Sequence, residues 1–527
     1  MTNATSSSTA KKPSTAKAKT SHPKGLYVLF FAEAWERFSY YGMRALLTLY
    51  LVNHLHYERE NALEVYATYT SLVYLTPIFG GFLADRLLGQ RKAVLIGGAV
   101  MALGHLAMAF EPLLHVALGL LIVGNGFFKP NISTIVGGLY EENDPRRDGG
   151  FTIFYMGINL GAFFSPLVCG TLGEKIGWHV GFSAAGVGMV IGLLVFVLGQ
   201  GLLGRVGFPP GRVEPADPTQ EKGPYRTGAD APGKLRLNLM DWVHVGAFIA
   251  GSVAFVLGAL WVWGLVSPWY SPQAWWVKGS ILAAIGLVFF AGPYLQGKLA
   301  SKKNAKAVEP LHADDYHRLV VIGVLTFFNI FFWMGFEQAG GTMTLFADQQ
   351  TDRHLFGWEI PASYFQSINP LGIVAMAPFF SLMWLRFDRP GSKAATSTPT
   401  KMAMGMIILG VGFIVMYIAQ KIAEASGTVG PLWLALVYFI HTVGELCLSP
   451  IGLSMVTKLA PARLGSLMMG IWFVSSAVAN YFAGTLEHLV SQFHLPVYGV
   501  LIATSIGAGV ILLVLTPLLK KWMHGRG

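Results

Sequence analysis

Charged residues lie in the middle of the first membrane-length apolar stretch of this chain, which runs from residue 26 to residue 52. Glu33, Glu36 and Arg37 stand there, where each charged side chain costs roughly 2.5 to 3.5 kcal/mol of insertion free energy. Residues that are so unfavourable in hydrocarbon usually face a water-filled path or one another, and they mark functional sites. The chemistry indicated is ion pairing and proton exchange inside a membrane.

The spacing of the polar residues in this stretch is that of one helix face. They fall at positions i, i+3, i+4, i+7, i+8 and i+11, which form a single stripe along a helix. The stripe consists of Glu33, Glu36, Arg37, Tyr40, Tyr41 and Arg44. A row of carboxylates, guanidinium groups and phenols on a spanning helix predicts the wall of a transport pathway.

A lysine stands within another apolar stretch, 114–139, in the sequence GNGFFKPN. Lys129 is ten residues or more from either end of that stretch, too far to reach the membrane surface easily, so a carboxylate partner is expected. The sequence leaves four candidate partners: Glu33, Glu36, Glu337 and Glu445.

These charges divide unequally between the two ends of the chain. The N-terminal part supplies three cations and two carboxylates, whereas the C-terminal part supplies only Glu337 and Glu445. Such an arrangement suits a zwitterion, with its carboxylate on one side and its ammonium on the other. Asn159 and Asn369 offer amides that could hold a peptide backbone. Aromatic walls are expected from Tyr40, Tyr41, Tyr74, Trp333 and Trp472.

The composition belongs to a membrane protein with many spans. The chain has 527 residues, of which 53% are hydrophobic and only 13% charged. Its net charge of +10 does not indicate nucleic acid, because lysine and arginine concentrate in the loops on one side. That asymmetry predicts two cytoplasmic termini and an even number of spans in the cell's inner membrane. Cys169 and Cys447 lie in apolar segments, so no disulfide is expected.

Apolar stretches of about 20 residues, enough to cross a bilayer, recur fourteen times in a pattern of six, two and six. This all-α layout resembles the major facilitator fold, two six-helix bundles with the substrate site between them, here with an extra two-helix hairpin. The hairpin is expected to face lipid and to have no direct chemical role. The predicted domains are a disordered cytoplasmic tail (1–25), a bundle (26–204), a cytoplasmic linker (205–238), the hairpin (239–298), a linker (299–315), a bundle (316–520) and a tail (521–527).

The loop after the second span reads GGFLADRLLGQRK from residue 80. It resembles the cytoplasmic signature loop of the major facilitator superfamily. Its glycines permit close helix approach. Asp85 is predicted to cap or pair with cationic and helix-end groups that lock an inward gate.

Three motifs resemble those of the proton-dependent oligopeptide transporters, in their bacterial form. The segment 33–42 matches ExxERFxYYG, 154–161 matches FYxxINxG, and 444–450 resembles the motif of the tenth span. The resemblance extends over residues 25–520. It implies a proton-coupled symporter that imports di- and tripeptides, with no cofactor other than the proton as coupling ion.

The resemblance also implies roles for individual residues. Arg37 and Lys129 would bind the peptide carboxylate, and Glu445, Asn159 and Asn369 would hold the amino terminus. Arg44 and Glu337 would close the outer gate, and Lys129 with Glu445 the inner one. The side-chain pockets would be lined by Tyr40, Tyr41, Tyr74, Trp333, Trp472 and Ser476. Animal members carry an important histidine in span 2, which is absent here, so Glu33, Glu36 and Glu337 become the expected proton carriers.

Other functions fit the sequence less well. A transporter of nitrate or another small anion with the same fold remains an alternative, although an anion has no use for Glu445 or for the two asparagines. An intramembrane enzyme is not expected, because it would need a nucleophile–base pair or a metal cluster near the midplane, and Ser449 and Ser476 have no histidine at a position that suggests such a pair. No metal site is predicted, since His54, His56, His441 and His488 lack ligand spacing. The chain is expected to function as a monomer in the lipid bilayer.

Overall fold

The computed structural model describes residues 21–141, 144–208, 239–266, 312–387, 397–461 and 464–525. Helices dominate the N-terminal part, because long apolar runs in a membrane satisfy their backbone groups only within helices or barrels. The helices are α1 (Lys24–Asn53), α2 (Arg59–Leu75), α3 (Pro77–Leu83), α4 (Gln90–Ala107), α5 (Leu114–Gly138), α6 (Arg147–Thr171), α7 (Trp178–Gly199) and α8 (Leu239–Val266). Short π-helical turns, Ala84–Leu88 and Leu172–Ile176, follow α3 and α6, and 3₁₀ turns occupy Glu111–Leu113 and Gln200–Leu203.

The C-terminal part is built in the same way. Its helices are α9 (Ala313–Phe336), α10 (Thr342–Gln349), α11 (Ile368–Phe387), α12 (Thr398–Ser426), α13 (Pro431–Leu459), α14 (Gly465–Ser491) and α15 (Val497–Trp522). A 3₁₀ turn, Glu337–Gly340, separates α9 from α10 within one span. A small antiparallel hairpin of β1 (His354–Leu355) and β2 (Trp358–Glu359) and a second 3₁₀ turn, Ala362–Ser367, precede α11.

Thirteen of the fourteen expected spans coincide with described helices. The other one is the second span of the predicted hairpin, expected at 275–297, and it lies outside the described residues, as do residues 1–20 of the predicted tail and most of both predicted linkers. Within the described part, ten helical segments are long and apolar enough to cross a membrane. Helix α1 is not among them, because its interior carries four charged residues.

Each half has its own hydrophobic core. One is centred on α1, α4, α5 and α7, and the other on α9, α12, α13 and α15. Leu49 of α1 and Leu63 of α2 belong to the second core and join the two halves. Two cores of this kind agree with the predicted layout of two bundles.

Two sides of the helical assembly can be distinguished. Helix α1 begins and α15 ends at what is called here the terminal side. The opposite end, called the far side, carries the end of α1 and the start of α2. Arg59 there contacts Glu487 at the end of α14.

Glycine sets the approach of α3 to α5. A Cβ atom on Gly80 would lie 2.0 Å from the carbonyl oxygen of Gly126, closer than any real side chain allows. The backbones therefore touch only because residue 80 has no side chain. This bears out the expected close helix approach at the signature loop.

Helix α8, the first helix of the predicted lipid-facing hairpin, is tied to the N-terminal half. Lys92 Nζ of α4 lies 2.8 Å from Asp241 Oδ1 of α8, and both side chains are buried. Since a buried ion pair requires good geometry to offset its loss of hydration, it fixes this end of α8 against α4. The end of α8 that carries Asp241 therefore packs on protein, whereas the prediction placed the whole hairpin against lipid.

Candidate functional site

The charged stripe of α1 faces the protein interior. Arg37 Nε lies 3.0 Å from Glu33 Oε1 and 2.5 Å from Glu36 Oε2, and none of the three side chains exposes more than 3% of its surface. Asn125 of α5 donates a hydrogen bond of 3.1 Å to Glu36 Oε1. Arg37 Nη2 is buried and has no hydrogen-bond partner among the described residues. This guanidinium group therefore keeps a donor for an additional acceptor.

The two halves are joined inside the membrane by an ion pair. Arg44 Nη2 donates to Glu337 Oε2 at the start of the 3₁₀ turn after α9. The same guanidinium group donates through Nε to the Tyr66 hydroxyl, 2.5 Å away. Both charged side chains are at most 8% exposed. Arg44 and Glu337 thus meet as the sequence resemblance implies for a gate.

Lys129 does not form the corresponding pair with Glu445. Its Nζ lies 4.4 Å from the centroid of the Tyr74 ring, a cation–π contact. Glu445 instead accepts a hydrogen bond of 2.8 Å from Asn369 Nδ2. Among the described residues, no ion pair joins Lys129 to a carboxylate. One predicted gate pair is therefore formed, and the other is open.

A cavity of about 170 Å³ lies between the halves. It is larger than the roughly 150 Å³ cavity that can hold a benzene molecule. Eight of the predicted site residues line it: Tyr41, Arg44, Tyr74, Asn159, Trp333, Glu337, Asn369 and Glu445. The charged lining is therefore one cation and two carboxylates, which favours a ligand with a positive group.

Eight other predicted site residues do not line this cavity: Glu33, Glu36, Arg37, Tyr40, Asp85, Lys129, Trp472 and Ser476. Arg37 Cζ lies 5.5 Å from the centroid of the Tyr40 ring, and Lys129 Nζ contacts the ring of Tyr74, which does line the cavity. Trp472 is buried on α14, so close to Gly452 of α13 that a Cβ atom there would lie 2.3 Å from the indole. Ser476 is also buried on α14.

Two predicted residues make local contacts. Asp85 is exposed at the terminal side and accepts a hydrogen bond of 2.9 Å from Gln90, the first residue of α4. Asn159 donates to the carbonyl of Tyr155 within α6, at 3.0 Å, and its side chain still reaches the cavity.

The far side is closed by a second set of contacts between the halves. Glu174, in the π-helical turn after α6, accepts hydrogen bonds from the backbone N–H groups of Ala362 and Ser363, at 2.6 and 3.0 Å. Lys175 Nζ lies 2.7 Å from Glu359 of β2, and this hydrogen bond holds the pKa of the Glu359 carboxyl below its usual range. These contacts close the cavity toward the far side.

Several residues of the site were not predicted from the sequence. Tyr66 binds Arg44, and Asn125 binds Glu36, while Tyr155, Tyr438 and His441 line the cavity. Asn125 lies in the segment GNGFFKPN and Tyr155 in the motif FYxxINxG, so their positions in these segments could have indicated them. Tyr66, Tyr438 and His441 carry no such signal.

Comparison with known proteins gives a consistent result. The model of the POT family matches residues 91–211 and 295–501. The chain is 36% identical over 527 residues to the peptide transporter YePEPT of Yersinia enterocolitica, covering 96% of both chains. It is 32% identical over 519 residues to a di-/tripeptide transporter of Lactococcus lactis, covering 94% of this chain and 96% of the relative.

Solved structures agree with these relatives. A peptide transporter POT in complex with sulfate has a TM-score of 0.75 at 35% identity, with 96% of both chains covered. A POT family transporter in complex with 5-aminolevulinic acid has a TM-score of 0.74 at 31% identity, with 94% of this chain and 97% of that chain covered. The predicted all-α major facilitator fold is thereby confirmed, although the count of fourteen spans is not.

Proposed function

Because this chain belongs to the POT family, we propose that it is a proton-coupled symporter that imports di- and tripeptides by alternating access of its two halves. Relatives named as peptide transporters support the substrate class. The observation that carries the proposal is the cavity between the halves, with Arg44 on one wall and the hydrogen-bonded pair of Asn369 and Glu445 on the other.

The peptide would bridge the two halves. Its ammonium group is held by Glu445, Asn159 and Asn369, since a carboxylate with neighbouring amide oxygens accepts all three N–H bonds. Its carboxylate is held by Arg37, whose Nη2 has no partner among the described residues, and by Lys129, which stands at Tyr74 without a carboxylate partner there. Tyr41 and Trp333 provide apolar surface for side chains.

Coupling would run through the buried carboxylates. Protonation of Glu337 releases Arg44 and opens the far side, and protonation within the group of Glu33 and Glu36 weakens the hold on Arg37. A bound peptide stabilises the occluded state more than either open state, which drives closure. Proton loss on the terminal side restores the ion pairs and releases the peptide. The membrane potential adds about 2.3 kcal/mol per charge per 100 mV.

In this scheme the terminal side is cytoplasmic, so both termini lie inside the cell and the membrane is the inner one. The conformation described here is then inward-facing. Its far side is closed by the pair of Arg44 and Glu337, and Lys129 is separated from Glu445. The transporter works as a monomer, because the cavity is built from one chain.

The test is uptake of labelled dialanine into proteoliposomes, with and without an inward proton gradient. Gradient-driven accumulation is expected, with suppression by unlabelled di- and tripeptides and not by free alanine or nitrate. Exchange of labelled for unlabelled peptide without accumulation would support the peptide site and contradict the proton coupling. If dialanine has no effect while nitrate accumulates, the chain transports small anions.

A matched pair of variants tests the amino-terminal site. N-acetyl-dialanine lacks the ammonium group, so the wild-type protein should prefer free dialanine strongly. Glu445→Gln should lose most of this preference, whereas Glu424→Gln on the exposed surface of α12 should keep it. If all three proteins prefer free dialanine over N-acetyl-dialanine equally, the ammonium group does not bind at Glu445.

A further inference from the structure

Three potential metal ligands meet at the far side, outside the peptide cavity. His54 follows the end of α1, Glu111 lies in the 3₁₀ turn before α5, and His179 is the second residue of α7. Their ligand atoms all lie within 4.8 Å of one another. We propose that His54, Glu111 and His179 form a binding site for Zn²⁺.

The distances fit one cation between the three side chains. His54 Nε2 lies 2.7 Å from Glu111 Oε1, and His179 Nε2 lies 3.8 Å from the same oxygen. Two ligands at 2.0 to 2.2 Å from a tetrahedral Zn²⁺ are separated by about 3.4 Å. The two measured separations bracket this value, so small side-chain rotations place all three ligands around one ion.

The orientation of His179 supports a ligand role. Its Nδ1 faces the carbonyl oxygen of Met108 at 3.3 Å. A ring that donates from Nδ1 keeps Nε2 as a lone-pair acceptor, which is how most metal-bound histidines are held. Nε2 of His179 points toward Glu111. A simple hydrogen bond between His54 and Glu111 would not require this second imidazole.

The other ring is also positioned. His54 stacks on Tyr50, with ring centroids 5.2 Å apart and an interplanar angle of 25°. The side chains of His54, Glu111 and His179 are 35%, 50% and 38% exposed. An ion can therefore enter from the far side and keep a water molecule as its fourth ligand, as in open zinc sites.

The ligand set selects the type of cation. Two imidazoles and one carboxylate suit Zn²⁺, whereas Mg²⁺ and Ca²⁺ prefer all-oxygen sites. The sequence predicts only a structural role for His54, because no other ligand lies at metal-binding spacing along the chain. The ligands come instead from three separate elements that the fold brings together. The site is independent of the proposed transport function.

The experiment is calorimetric titration of ZnCl₂ into the full-length protein in detergent, with any purification tag removed. A second exposed cluster, Asp314, His317 and His524, lies on the terminal side. All proteins therefore carry His317→Ala so that only one cluster is intact. One Zn²⁺ per chain is expected, and Mg²⁺ should not compete for it.

Variants identify the ligands. His54→Ala and His179→Ala should each weaken Zn²⁺ binding at least ten-fold, and Glu111→Gln should weaken it as well. His56→Asn is the matched control, because His56 is exposed, lies two residues from His54 and adopts a positive φ of 55° that asparagine tolerates. It should bind Zn²⁺ like the parent protein.

Size-exclusion chromatography shows which variants are folded, and X-ray absorption at the zinc edge counts imidazole ligands in the parent protein. Two imidazoles per bound ion are expected. The proposal is overturned if the parent protein shows no saturable Zn²⁺ binding, or if folded His54→Ala and His179→Ala bind as tightly as His56→Asn.

Discussion

Arg44 of α1 and Glu337 of the turn after α9 form a buried ion pair across the interface between the two halves. The contact is reinforced by the Tyr66 hydroxyl, which accepts a hydrogen bond of 2.5 Å from Arg44 Nε. Because both charges are shielded from water, neither can be left alone without a large loss of stability. The pair is therefore suited to a gate that opens only when one charge is neutralised.

Glu337→Gln should destabilise the closed far side and abolish uphill peptide uptake. Breaking one partner of a buried ion pair costs about 3 to 5 kcal/mol, since the other charge stays buried. The measurements are the thermal unfolding midpoint in detergent and proton-driven uptake of dialanine in proteoliposomes.

The matched control is Glu424→Gln, which removes the exposed partner of Lys421 in a surface pair. Surface pairs contribute roughly 0 to 1 kcal/mol, so this variant should behave like the wild type. Equal unfolding midpoints for the two variants would show that the ion pair between Arg44 and Glu337 does not stabilise the protein.

Glu33→Gln and Glu36→Gln should separate accumulation from exchange. Each change removes a carboxylate that binds Arg37 at 3.0 or 2.5 Å, and with it a site for the coupled proton. Uphill accumulation of dialanine should be lost, while exchange of labelled for unlabelled peptide continues. Glu58→Gln, at an exposed position on the far side, is the control. If both variants accumulate peptide against a gradient, these residues do not carry the proton.

The stripe on α1 could be predicted because helical periodicity is local. Residues three, four and seven positions apart share a face wherever the helix lies. Charged residues in a membrane must turn inward, and the structure buries Glu33, Glu36 and Arg37 as this argument requires. The pairing of Arg44 with Glu337, 293 residues apart, came only from resemblance to a family.

The partner of Lys129 could not be predicted, because it depends on the distance between elements far apart in the chain. Four carboxylates were candidates, and the structure instead places its ammonium group on the Tyr74 ring. The same limit applies to Tyr66 and to Glu174, whose contacts exist only once the two halves have packed. The predicted roles of the site residues remain predictions until transport is measured.

Glu174→Gln should shift the protein toward a conformation that is open on the far side. The Glu174 carboxylate accepts from the N–H groups of Ala362 and Ser363 and lies 3.7 Å from Arg353 of the other half. Loss of a charged cap costs about 1 to 2 kcal/mol, which changes a population ratio roughly 5- to 30-fold.

Distances between spin labels measure this shift. Labels at the exposed far-side positions Glu58 and Phe356, one in each half, should show a larger long-distance population in Glu174→Gln than in the parent. Lys421→Met, in an exposed pair with Glu424 that does not join the halves, is the control. Identical distance distributions would mean that Glu174 does not hold the halves together.

The ion pair between Lys92 and Asp241 should determine whether α8 stays against α4. Both side chains are buried, so Lys92→Met or Asp241→Asn alone leaves an uncompensated charge or dipole and should destabilise this contact by about 3 to 5 kcal/mol. The double change Lys92→Met with Asp241→Leu removes both charges, and such replacements are often neutral.

Hydrogen–deuterium exchange of residues 239–254 reports the contact directly. Exchange should be faster in each single variant than in the wild type and should return toward the wild-type rate in the double variant. Equal exchange in all four proteins would show that apolar packing alone holds α8. Faster exchange in the double variant than in either single variant would show that the two charges act independently.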